Sequence, residues 1–177
     1  MWYKNTQAQN LFILLVFTAG LLGTLYLLQL KEDLTPEEEY MIEREVFSHL
    51  FGNNHSAKQN TSKYYFIGVS NSDPSLELLE SFSDHVPKVK PLSKAQRPVD
   101  FGTTVTLRDD STKSGIIFHI NKMSKRLDGK VYVEASYYEA YMSSASYNYL
   151  LEIINDECNI ITFELVKSQI LCKNKIG

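Results

Sequence analysis

The sequence predicts an α+β protein: a single N-terminal transmembrane helix, then one domain in which an antiparallel sheet is packed by one or two helices. Three observations predict it. Leu11 to Leu30 is a run of twenty residues without a charge. Two helix-start signals follow within the next fifty residues. From about residue 105 onward the chain alternates apolar and polar residues in short segments separated by turns, which is the pattern of half-buried strands.

At about 1.5 Å of rise per residue, the run makes a helix of about 30 Å, the thickness of a bilayer's hydrocarbon core. A soluble core helix would carry a polar stripe, and a cleavable leader has an apolar stretch of roughly 7–15 residues before a small-x-small cleavage site. Here the run ends bulky and then charged, Leu28-Gln29-Leu30-Lys31-Glu32-Asp33, and no cysteine follows to accept a lipid. The reading is an uncleaved anchor; its alternatives are cleavage near Ala19–Thr24 and a buried soluble helix. The organisation is therefore residues 1–10 as a cytoplasmic tail, 11–30 as the membrane anchor and 31–177 as an extracytoplasmic domain. Lys4 and the amino terminus on one side face Lys31 on the other, so the charge bias is slight and the short tail favours N-in, C-out. The spacings Ala19/Gly23 and Gly20/Thr24 would admit a second helix, although glycine is common in membrane helices.

The part after the anchor has the length of one ordinary domain. It carries 17 basic and 21 acidic residues, a net charge of −4. That argues against nucleic acid as a partner, which calls for a clustered basic surface. Lys88, Lys90, Lys94 and Arg97 lie among Pro87, Pro91 and Pro98 and read as a solvated connector.

Element by element, Thr35-Pro36-Glu37-Glu38 opens a helix, with Thr35 as N-cap, proline at the first helical position and Glu38 completing a capping box. Ile42, Val46, Phe47, Leu50 and Phe51 fall on one face of it, and Gly52-Asn53-Asn54 ends it. The apolar face packs on the domain's own sheet, since the opposite face is acidic rather than the basic one a lipid interface favours. Tyr64 to Ser70 is a continuous apolar strand. Asn71-Ser72-Asp73-Pro74 caps a short second helix, Ser75 to about Ser83, with Leu76, Leu79 and Phe82 along one side. The piece "VKPLS" is confined by Pro91 to an edge or a turn. Val105 and Leu107 begin the alternating part. In "GIIFHINKM", Ile116, Phe118 and Ile120 share one face, and Ile117, His119 and Asn121 the other. Asp128-Gly129 is a hairpin turn, after which Val131, Val133, Ala135 and Tyr137 alternate. "YNYLLEII", "NDE" and "NIITFELV" form a last hairpin, for about six strands in all. A cystatin-like or nuclear-transport-factor-like arrangement fits this order of pieces by fold-level analogy.

Four stretches, "EYMIEREVFSHLF", "DPSLELLESFSDHVPKVKPLS", "SGIIFHINKM" and "VEASYYEAYMSSASYNYLLEI", resemble an uncharacterised group of short exported or single-span membrane-anchored bacterial proteins. The resemblance covers most of the part after the anchor. It implies a shared fold and location rather than a reaction. The last strand lacks the tryptophan often found there in that group; the only Trp is Trp2.

Signatures of chemistry are absent from the sequence. The four histidines form no H-x-x-x-H and the cysteines no C-x-x-C, so no metal site is expected; no glycine-rich loop implies a cofactor; no G-x-S-x-G elbow is present. Ser143-Ser144 reads as a hairpin loop. Asp84-His85 is the nearest thing to an acid–base pair, but neighbours in sequence point apart. His119 on its strand reads as a solvent-facing or hydrogen-bonded histidine. Cys158 and Cys172 would lie about 45 Å apart on one extended strand, so a disulfide would need an irregular C-terminus. Asn54-His55-Ser56 and Asn60-Thr61-Ser62 accept glycans only in a eukaryotic lumenal domain.

Tyrosine is the compositional oddity: Tyr132, Tyr137, Tyr138, Tyr141, Tyr147 and Tyr149 fall within eighteen positions. Tyrosine gives large contact area with one polar tip, which suits recognition; equally, it covers a thin sheet. The candidate recognition loop lies between Tyr137 and Tyr149, with Tyr138, Tyr141, Met142 and Tyr147 as its residues and no catalytic, cofactor or metal residue assigned. Two function classes follow. The preferred one is a membrane-tethered extracytoplasmic binding or assembly domain that contacts another protein. The alternative is a membrane-anchored hydrolase whose site assembles from residues distant in sequence.

Overall fold

The computed structural model describes residues 31–54, 56, 58–141 and 143–169. The expected anchor, Met142, Cys172 and the C-terminal residues lie outside them. Among the described residues no helix is long and apolar enough to cross a membrane.

Helix α1, Pro36–Asn53, begins as its sequence dictates. Thr35 accepts from the Glu38 N–H at 3.2 Å, and Glu38 Oε2 accepts the Thr35 N–H at 3.0 Å. Glu38 also pairs with Lys125 at 2.8 Å, which ties the helix start to the sheet. The hydrogen bond from Lys125, with that from the Thr35 N–H, holds the Glu38 carboxyl below its ordinary range. The five apolar residues of the predicted face are its buried residues. The second helix is shorter than expected: α2, Leu76–Ser81, is capped by Ser75, whose side chain accepts the Leu78 N–H. Its buried face is Leu78 and Phe82, four residues apart, whereas Leu76 is 70% exposed. The cap is one residue later than the Asn71–Pro74 signal; Leu79 and Phe82 of the expected side pack on the main cluster, and only Leu76 faces out.

Nine strands are described: β1 Lys31–Glu32, β2 Tyr64–Val69, β3 Lys88–Pro91, β4 Ala95–Gln96, β5 Thr106–Leu107, β6 Asp110–Arg126, β7 Lys130–Ala140, β8 Ser143–Ile154 and β9 Glu157–Gln169. The main sheet runs β3-β2-β6-β7-β8-β9. It is mixed, which corrects the antiparallel expectation. β2 lies parallel to both β3 and β6, and only β6 through β9 form an antiparallel meander. A parallel pair needs a crossover of a dozen or more residues; the segment between β2 and β3, α2 included, supplies one. β3 is an edge strand, where Pro91 lacks no needed donor. Gly115 is required at the β2–β6 junction: a Cβ there would meet Tyr64 O at 2.7 Å and the Phe66 ring at 2.5 Å.

The strand faces sort the core. Ile116, Phe118 and Ile120, with Val131, Val133, Ala135 and Tyr137, join the α1 face in the main cluster. Ile117 points the other way, into a smaller cluster with Phe66, Ala95 and Val105 beneath β4 and β5. Asn155 and Asp156 close the last hairpin with φ of 51° and 62°. Two consecutive residues in that region make the turn whose twist matches the flanking strands.

Candidate functional site

The stretch holding the recognition candidates is not an open loop. β7 runs to Ala140 and β8 begins at Ser143, with Tyr141 in a turn after β7. Alternation along two paired strands then assigns each side chain. Tyr147 stands opposite Ala135 and is buried in the main cluster beside Tyr137 and Tyr149, with ring centroids 6.3 and 6.4 Å away. It is a core residue, which corrects its place among the recognition candidates. Tyr138 lies on the opposite face, half-buried against the smaller cluster. Tyr141 is 39% exposed at the turn. Burial pushes the Tyr138 phenol up, the nearby Arg97 guanidinium opposes that, and Tyr141 adds to it. Tyr138, Tyr141 and Arg97 thus form one neighbourhood. Met142 lies outside the described residues. Burial pushes Tyr137 up to about 12, helped by the charges of Tyr147 and Glu139.

Behind the turn sits a buried carboxylate that the sequence did not disclose. Glu139 takes the inward position at the end of β7 and is 5% exposed. Its Oε1 accepts from Ser143 Oγ at 2.6 Å, and its Oε2 accepts from Ser56 Oγ and from the Lys58 N–H at 3.3 Å. Three donors from two segments satisfy one carboxylate, pinning the chain after α1 to the β7–β8 hairpin. Ser143 is therefore the buried first residue of a strand rather than a loop residue.

His119 is buried and fully engaged. Its Nε2 accepts the Asn71 N–H at 3.0 Å, so Nδ1 carries the proton and donates to Asn121 Oδ1 at 2.7 Å. Asn121 passes the chain on to Ser136 Oγ at 3.3 Å. With both nitrogens taken, the ring holds Asn71 in its left-handed conformation, φ 65°. His85 donates Nδ1–H to the Pro87 carbonyl at 2.8 Å and packs among Phe51, Tyr65 and Phe82. Asp84 makes no bond to it among the described residues. Cys158 has no disulfide partner among the described residues, and burial, with the charge of Glu45 adding, pushes its thiol up to about 11.

A cleft of about 610 Å³ opens beyond the carboxyl ends of β2 and β3, lined by Asn71, Asp73, Ser93, Arg97 and Arg108 among others. That position is where parallel strands leave a crevice. Neither arginine makes an ion pair among the described residues, while Asp73 accepts the Ser93 N–H at 2.7 Å. In the sequence Arg97 read as part of a solvated connector; only the fold brings it beside Tyr138. Among the described residues no group of histidine, cysteine and carboxylate side chains could hold a metal ion. Comparison of the chain with protein-family models, curated proteins and solved structures finds no match.

Proposed function

We propose that the chain is a membrane-tethered extracytoplasmic binding or assembly domain, anchored by residues 11–30 with residues 1–10 on the cytoplasmic side. It meets a protein partner at the β7–β8 turn, through Tyr141, Met142 and the Tyr138–Arg97 neighbourhood. The observation that carries this reading is the polarity of the sheet. Residue 31, the first after the apolar run, pairs with Arg126 at the far end of β6, beside the start of β7. Tyr141 follows the other end of β7. Ten residues of strand at about 3.3 Å each separate them, roughly 33 Å. A domain entered from the membrane at one end presents this turn at the other.

The test is a photo-crosslinking amino acid placed at 141 or, as control, at 127, in the full-length chain in its native membranes. A discrete protein adduct from 141 and none from 127 is the expected result. Adducts from 127 alone, or from neither position, would remove the turn as the contact.

A further inference from the structure

We propose that a second cleft, at the opposite ends of β2 and β3 from the arginine cleft, binds a small organic anion with a flat apolar body, of the aryl carboxylate class. The cleft has a volume of about 810 Å³, within the range of small-molecule sites. Its apolar part is a ring cluster: Phe51, Tyr65 and His85 line it with centroids 4.8 to 5.5 Å apart. Such edges and faces accept another ring in tilted or offset contact.

Its charge is one-sided. Lys63 and Lys88 line the rim, neither forms an ion pair among the described residues, and none of the described lining residues is acidic. A carboxylate placed between two ammonium groups gains charge-assisted hydrogen bonds, whereas a cationic ligand would meet only repulsion. One further group has a donor that the fold itself does not use. Ser62 is 7% exposed and its buried Oγ has no hydrogen-bond partner among the described residues. Unsatisfied buried polar atoms are uncommon in folded proteins, and this one belongs to a residue that lines the cleft carrying the two lysines. His85 has Nδ1 committed to the Pro87 carbonyl, so Nε2, without a partner among the described residues, is the nitrogen open to labelling; towards the ligand the ring offers its face, not a hydrogen bond to the carboxylate.

The fold also supplies a clean way to close the site. Gly52 lines the cleft near the end of α1, and a Cβ built there meets nothing within 4 Å. A side chain at 52 therefore grows into open space, and replacing a helical glycine removes a backbone-entropy cost.

The test uses the full-length chain in detergent, with 2-naphthoate as probe and diethyl pyrocarbonate labelling of His85, read by peptide mass spectrometry. Millimolar naphthoate should slow carbethoxylation of His85 saturably and leave His49 labelling unchanged. The neutral 2-naphthamide should need about tenfold more for the same protection, the loss of one charge-assisted interaction. Lys63→Gln with Lys88→Gln should bring naphthoate down to the level of the amide. Gly52→Leu should keep the unfolding midpoint at or above that of the parent and bring the ratio of rates with and without naphthoate to one. Absence of protection, equal protection by the amide, or protection that survives Gly52→Leu each overturns the proposal.

Discussion

Glu139 shows how one side chain sets the fold around the proposed contact. A buried carboxylate holds its place only when its lone pairs are taken, and here two serine hydroxyls and a backbone N–H take them. Glu139→Ala leaves those donors without partners and should lower stability by about 3 kcal/mol in chemical denaturation; Glu139→Gln, which keeps the volume and one acceptor, should cost less. Equal midpoints for the alanine variant and the parent would mean that the cluster does not persist in solution. Glu43 makes a pH-dependent counterpart. Burial, reinforced by the Glu39 charge, pushes its carboxyl up to about 7. Because the folded state binds the proton more tightly than the unfolded chain, the contribution of Glu43 is fully present below about pH 4.5 and is lost as pH rises through 7. Glu43→Gln should therefore match the parent near pH 4 and exceed it near pH 8. The gap should be about 1–2 kcal/mol once solvent screening of this half-buried group is discounted. His49 acts in the opposite sense: burial, its first cause, holds its pKa down against the charge of Glu45, so it removes stability as pH falls. The comparison between variant and parent cancels that. At this scale the tyrosines divided by strand parity. Tyr132 and Tyr138 face away from Tyr137 as alternation requires, but burial could not be read from it: Tyr147 is core because β8 registers it against Ala135.

At the scale of elements, local chemistry was readable and pairing was not. α1 begins at its capping box and buries the face its periodicity marks, because both properties lie within one helical stretch. Thr35→Ala should lower the stability of the domain by about 1 kcal/mol, since the N-cap oxygen satisfies a donor that would otherwise be an orphan. An unshifted denaturation midpoint would show that the capping box contributes nothing. The β6–β7 and β8–β9 turns likewise followed from Asp128-Gly129 and from Asn155-Asp156, residues that tolerate positive φ. α2 was placed correctly and two of its three expected inward residues, Leu79 and Phe82, pack on the core, but Leu76 faces out and Leu78 was missed, since a helix of six residues gives too few apolar positions to fix a stripe. The parallel β2–β6 pair joins segments some fifty residues apart, and no local pattern encodes such a partner. The same holds for the sites. The arginine cleft and the ring cleft draw on residues from Ser48 to Arg108, which become neighbours only when β2 is sandwiched between β3 and β6.

For the whole molecule, the decisive relation is between the point where the described chain enters the sheet and the turn proposed as its contact. β1 fixes the entry: Lys31 and Glu32 pair with Arg126 and Lys125, and Glu38 in the first turn of α1 reaches Lys125 as well. The first eight residues of the described chain are thus secured to one end of β6 by a ladder and an ion pair, so a tether ending at residue 30 would not swing freely over the surface. Leu127, 43% exposed, sits at that same end in the β6–β7 turn. Under the proposed anchoring it lies next to the lipid headgroups, and Tyr141 lies roughly 33 Å further out along β7. A nitroxide on Leu127→Cys, in a full-length chain with Cys158→Ser and Cys172→Ser and reconstituted in a bilayer, should be relaxed strongly by a headgroup-bound paramagnetic lipid. The same label on Tyr141→Cys should be relaxed little. The inverse-sixth-power fall of that effect makes the contrast large even if the domain tilts. Equal relaxation at both positions would mean that the sheet lies flat on the membrane, and relaxation greater at 141 would place the turn against the lipid; either result would end the reading of the turn as an outward contact.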